Sequence, residues 1–188
     1  MKAKLPKFPD QFIDPITGHP PSGEVQMSGL LGLLHQLNRI DWSRVPLLNP
    51  DNNVSGRKAS DLLAGSVMCS EYQLFCGSEA ELQTWGSMPA DLICLTRDER
   101  KVALLENKIG SGFTGVRNDP ANGQLAKQAD FLLHCRIPEA FLILVSTAEF
   151  FDKGWYRNEL LETLQFGGRS SKVVGHLLRW EDILSAIS

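Results

Sequence analysis

Hydrophobic spacing divides the chain into stretches of two periods. Leu30, Leu31, Leu33, Leu34 and Leu37 recur at helical spacing through QMSGLLGLLHQLNRI, which predicts a helix from Glu24 despite Gly29 and Gly32. The polar NPDNNVSG (49–56) reads as a loop, and Leu62, Leu63, Val67 and Met68 predict a second helix over 59–71. Beyond it the pattern shortens. Residues 78–85, 90–96 and 101–109 are strand-like, with a charged four-residue connection at 97–100 between the last two. QLAKQADFLLHC (124–135) is an amphipathic helix stopped before Pro138, AFLILVST (140–147) has the apolar run of a central strand, 156–166 is a helix, 173–180 a strand, and WEDILSAI a closing helix. The order α-α-β-β-β-α-β-α-β-α predicts an α/β fold, a mixed central β-sheet flanked by helices. Residues 1–23, with Pro6, Pro9, Pro15, Pro20 and Pro21, read as an extended arm on a single domain spanning 24–188.

Composition narrows the function. The net charge is −3, so no global basic field advertises a polyanion partner, and contact with nucleic acid must use local patches. The cysteines Cys69, Cys76, Cys94 and Cys135 contain no C-x-x-C pair and the histidines are scattered, which points to reduced thiols rather than zinc or disulfides. The N-terminus lacks an apolar signal-like core and the apolar runs are only strand-length, so the expectation is a soluble, cytoplasmic protein with no membrane partner.

The unusual chemistry lies in MPADLICLTRDERKVALLENKIG, residues 88–110, where acids interrupt segments that otherwise read as buried strand. With 97–100 as the connection, Ile93 faces Leu104 and Asp91 faces Glu106 across a hairpin. Opposed residues have Cβ atoms about 5 Å apart, so two carboxylates there repel unless a cation lies between them. Strand alternation puts Lys108 on the face of Glu106 and Asn107 on the other. Two hard carboxylates, a backbone carbonyl at Asn107 and several waters suit Mg²⁺ (or Mn²⁺), an ion that activates water and neutralises a phosphodiester. Lys108 then orients or deprotonates the water, or stabilises developing charge. The plainer alternative is a solvent-facing ion pair worth under about 1 kcal/mol. Leu104, Leu105 and Ile109 weigh against it, because they bury the strand.

Pro89-Ala90-Asp91 followed by Glu106-Asn107-Lys108 resembles the signature of the PD-(D/E)XK nuclease superfamily, and Leu105-Glu106-Asn107-Lys108-Ile109 with the later Gln124-Leu125 resembles the branch carrying a Glu-Asn-Lys string. Ala90 separates Pro89 from Asp91, a departure from the short form of the signature. The resemblance implies a restriction-endonuclease-like fold and a Mg²⁺-dependent nuclease acting on DNA, with Asp91, Glu106, Lys108, Gln124 and Glu24 as catalytic residues and homodimerisation left open. In that branch an early helix carries an acid followed by Ser and a Leu-rich run, for which Glu24 is the match and Glu71, at the end of the second predicted helix, the rival. The alternative is a non-catalytic member of the same fold that binds nucleic acid or a protein partner. GSGFTG (110–115) spells a dinucleotide fingerprint, but the helix that fingerprint requires does not start within it.

Overall fold

The structure, a computed structural model, describes residues 24–72, 74–76, 83–84, 90–108, 121 and 123–188, with the side chains of 24–26, 75–76 and 83–84 left aside. The expected arm over 1–23 and the GSGFTG loop lie outside the described residues, as does Trp85.

The chain is α/β, as its periodicity predicts. In order it forms α1 (Glu24–Gln36), β1 (Pro46–Leu48), β2 (Val54–Lys58), α2 (Ser60–Leu63), β3 (Ser66–Tyr72), β4 (Phe75–Cys76), β5 (Gln83–Thr84), β6 (Ala90–Thr96) and β7 (Lys101–Lys108). Then follow α3 (Gln124–His134), β8 (Glu139–Ser146), α4 (Ala148–Lys153), α5 (Arg157–Gln165), β9 (Val173–Arg179) and α6 (Trp180–Ser185). Seven strands make one mixed sheet in the order β2-β1-β9-β8-β7-β6-β3. β7, β8 and β9 run parallel, and the remaining neighbours pair antiparallel. Parallel strands need helical crossovers, which α3 and the α4–α5 pair supply.

Alternation along β7 explains the three layers. Val102 and Leu104 pack with Leu125, Ala129 and Leu132 of α3 and with Leu160 and Leu164 of α5. Ala103 and Leu105 pack on the other face with Leu31 of α1, Leu62 and Leu63 of α2 and Ile183 of α6. Burial on both faces gives β7 and β8 their near-continuous apolar runs. A Cβ at Gly175 in β9 would stand 2.5 Å from Leu164 Cδ1, so glycine there lets the Leu164 side chain of α5 lie directly on the sheet.

Three departures from the sequence pattern have physical causes. The stretch 59–71 is not one helix: Gly65 adopts a left-handed φ of +68°, ends the short α2, and sends 66–72 into β3. Val54 to Lys58, in part assigned to a loop, form an edge strand whose residues are mostly exposed, so no apolar alternation marks it. Of the strand expected over 78–85, Gln83–Thr84 pair with Phe75–Cys76, and the rest lies outside the described residues. The inward stripe of α1 is only partly the leucine series: Leu31 and Leu34 pack inward with the buried Ser28 and His35, while Leu37, just past the helix, is 57% exposed. The Trp42 indole N–H donates to His35 Nδ1 at 2.9 Å, which leaves the proton on Nε2 to donate to the Ser66 carbonyl at 2.9 Å. That histidine is a neutral tie between α1 and β3, its pKa lowered by burial.

Candidate functional site

On the α3 face, β3, β6 and β7 carry successive rows of side chains. Val67, Leu95 and Val102 form one row and Cys69, Ile93 and Leu104 the next, each set in cross-strand register and packed into the same core. One step further along both registers lie Glu71, Asp91 and Glu106. Ser70 pairs with Leu92 and Tyr72 with Ala90, bracketing Glu71 and Asp91, and Leu92 pairs with Leu105 just before Asp91 and Glu106. Two apolar rows therefore give way to a row of three carboxylates where α3 begins. The hairpin register read from the sequence holds, with Ile93 opposite Leu104.

At this row β6 and β7 change their bonding. The Asn107 backbone N–H donates to Asp91 Oδ2 at 2.7 Å, which fixes the acid between the strands. Because a strand residue's N–H and C=O share one edge, the Asn107 carbonyl faces the same β6 side as the Asp91 carboxylate. Glu71, next on β3, holds a left-handed φ of +49°, uncommon for a residue with a Cβ. Its pKa is raised, by burial first and by the Asp91 charge second.

Glu106 is 1% exposed, and its carboxyl is pushed up to about 7. Burial is the largest cause, Asp91 adds to it, and Lys108 opposes both. Three donors reach the carboxylate. Lys108 Nζ lies 2.7 Å from Oε1, Gln124 Nε2 donates to Oε1 at 2.7 Å, and Gln128 Nε2 donates to Oε2 at 2.7 Å. Lys108 is itself 2% exposed, and its backbone carbonyl accepts from the Ser146 hydroxyl. The two glutamines stand one helical turn apart on α3, so one face of that helix grips both carboxylate oxygens. Glu159 of α5 lies within electrostatic reach of Lys108, which partly offsets the rise that burial causes in its pKa.

Asp91, Glu106, Lys108 and Gln124 thus meet as the sequence predicted. The side chain of Asn107 does not join them. It is fully buried on the opposite face, where it accepts the Trp180 indole N–H at 2.8 Å and donates to Ser28 Oγ at 3.4 Å, so any ligation by Asn107 is limited to its backbone carbonyl. Glu24 opens α1, but its side chain lies outside the described ones. Glu71 is a strand acid rather than a helical one. Gln128 escaped the sequence reading altogether; its only signal was the spacing Gln124-x-x-x-Gln128, which aligns both amides on a helix.

Among the described residues, no three His, Cys, Asp or Glu side chains gather closely enough to hold a metal ion as they stand. The cation on Glu106 in this arrangement is the Lys108 ammonium. A divalent ion nevertheless fits the donor set. An ionised carboxylate offers about four lone pairs, and of the three donors at Glu106 only one is on Oε2. Asp91 and the Asn107 carbonyl supply further hard oxygen on the same side. Comparison of the chain with protein-family models, with curated proteins and with solved structures gives no match.

No described helix is long and apolar enough to cross a membrane.

Proposed function

We propose that the chain is a Mg²⁺-dependent nuclease that hydrolyses phosphodiester bonds in DNA, in keeping with its resemblance to the PD-(D/E)XK superfamily and a restriction-endonuclease-like fold. The observation that carries this reading is the buried Glu106 carboxylate, held in register with Asp91 and beside Lys108. A core rarely keeps an acid with a pKa near 7 next to a second acid without a task for it. Asp91 Oδ, Glu106 Oε2 and the Asn107 carbonyl would hold the ion. The chemistry such an ion supplies is charge neutralisation on the phosphodiester and a lowered pKa for bound water. Gln124 and Gln128 keep Glu106 oriented, and Lys108 presents its ammonium to the phosphate or, in its neutral amine form, takes up the proton of the attacking water.

One observation favours a non-catalytic DNA- or protein-binding module instead: Lys108 and Glu106 form a buried ion pair at 2.7 Å, which can serve as a structural tie. The deciding experiment incubates the protein with supercoiled plasmid and labelled oligonucleotides in Mg²⁺, Mn²⁺ or EDTA. The nuclease reading expects metal-dependent cleavage that Asp91→Asn abolishes. Retention of DNA without cleavage in either metal would favour the binding module.

A further inference from the structure

Gln128 is 2% exposed, and its amide nitrogen donates to Glu106 Oε2 at 2.7 Å. The carbonyl oxygen of the same amide is buried and has no hydrogen-bond donor among the described residues. Reversing the amide would set oxygen against oxygen at Glu106, so the carboxylate fixes its orientation. Buried side-chain acceptors nearly always have a partner, and leaving one bare costs about 1–3 kcal/mol. Glu106 Oε2, joined to this amide, also has a lone pair to spare, since Lys108 and Gln124 both engage Oε1. A buried acceptor without a donor, on an amide bound to a carboxylate oxygen that takes only one hydrogen bond, calls for a cation or for water held by one.

We infer that Gln128 is a positioning residue of the metal centre, whose Oε1 accepts a hydrogen from a water carried by the divalent ion at Asp91 and Glu106. This rests on the metal-dependent reading. Mg²⁺ and Mn²⁺ keep several waters when protein ligands are few, and a buried carbonyl beside a ligating carboxylate fixes one of them. Gln128 then acts twice, through Nε2 on the ligand and through Oε1 on the water. Partners of this kind around a metal typically change affinity or activity by 10–100-fold when removed.

The test is a Mn²⁺ titration by calorimetry on metal-free protein, with melting curves to establish folding. Gln128→Met removes both donor and acceptor, whereas Gln128→Glu removes the donor and keeps an acceptor oxygen. The expected result is affinity about 10–100-fold weaker in Gln128→Met and equal or tighter in Gln128→Glu. Equal losses in both variants would reduce Gln128 to a donor for Glu106 and overturn the inference, as would wild-type affinity in Gln128→Met. If Gln128→Met fails to fold, Gln128→Ala is read in the same way. Wild-type protein that binds Mn²⁺ but leaves DNA intact defeats the nuclease reading alone, and the variants still decide the role of Gln128. Wild-type protein that binds no Mn²⁺ overturns both.

Discussion

The carboxylate of Asp91 takes the backbone N–H of Asn107 at 2.7 Å, and this one bond places the acid beside Glu106, the residue before Asn107. It also makes Asp91 an acceptor for a backbone N–H, a role that an amide oxygen can fill. Asp91→Asn keeps an oxygen for the Asn107 N–H and removes a charge that pushes up both Glu106 and Glu71. Metal-free Asp91→Asn should be as stable as wild type or slightly more so, and inactive. Thermal melting checks it. A fall of more than about 5 °C, over 1 kcal/mol for this size, would make Asp91 a structural partner instead.

The same variant gives a pH signature. The folded Glu106 carboxyl is raised from its ordinary 4.5 to about 7, so between those values the folded chain binds more protons than the unfolded one. Wild-type stability from this group is therefore fully present below about pH 4.5 and is lost as pH rises through 7. Without the Asp91 charge the window narrows. The melting advantage of Asp91→Asn should grow from pH 5 to pH 8 and shrink toward zero in acid. An advantage independent of pH would place the effect elsewhere.

Lys108 and Glu106 are a buried ion pair at 2.7 Å, and removing one partner leaves the other charge stranded. Lys108→Ala should cost about 3–5 kcal/mol at pH 8, less at pH 5 where Glu106 takes a proton, and be rescued in part by Mn²⁺. Calorimetry should show Mn²⁺ affinity kept or increased, because a competing cation is gone, while cleavage falls about 100-fold or more. Wild-type cleavage by this variant would remove Lys108 from the chemistry.

Asn107 makes the opposite prediction. Its side chain serves the far face of the sheet, so Asn107→Leu should strand the Trp180 indole N–H and cost about 1–3 kcal/mol, while Mn²⁺ affinity changes by less than about twofold. Pairing it with Trp180→Phe should recover much of that loss. A large fall in Mn²⁺ affinity would mean that the side chain ligates after all.

Glu71 carries a side chain where the backbone favours glycine. Glu71→Gly should raise the melting temperature by a few degrees, about 1 kcal/mol, by relieving that conformation. A drop in stability would show that the acid is retained for the fold.

The Asp91–Glu106 register was legible because the four-residue charged connection fixes the hairpin and a slip of one residue would turn every apolar side chain outward. Lys108 followed from strand alternation alone. Glu71 was misplaced on a helix because Leu62, Leu63, Val67 and Met68 satisfy helical spacing, and nothing local announces that Gly65 turns left-handed. Gln128 looked like any helical glutamine, since its meaning depends on the packing of α3 over β7, which no single segment encodes. The polar edge strand β2 carries no period for the same reason that it is exposed on both faces.

The central claim, that Asp91 and Glu106 share one divalent ion, is tested most directly by a crystal structure of the protein soaked in Mn²⁺, with anomalous scattering to locate the metal. The account predicts a single strong peak in contact with both carboxylates on the α3 face and with the Asn107 carbonyl. No peak at that position, with Lys108 still paired to Glu106, would contradict it.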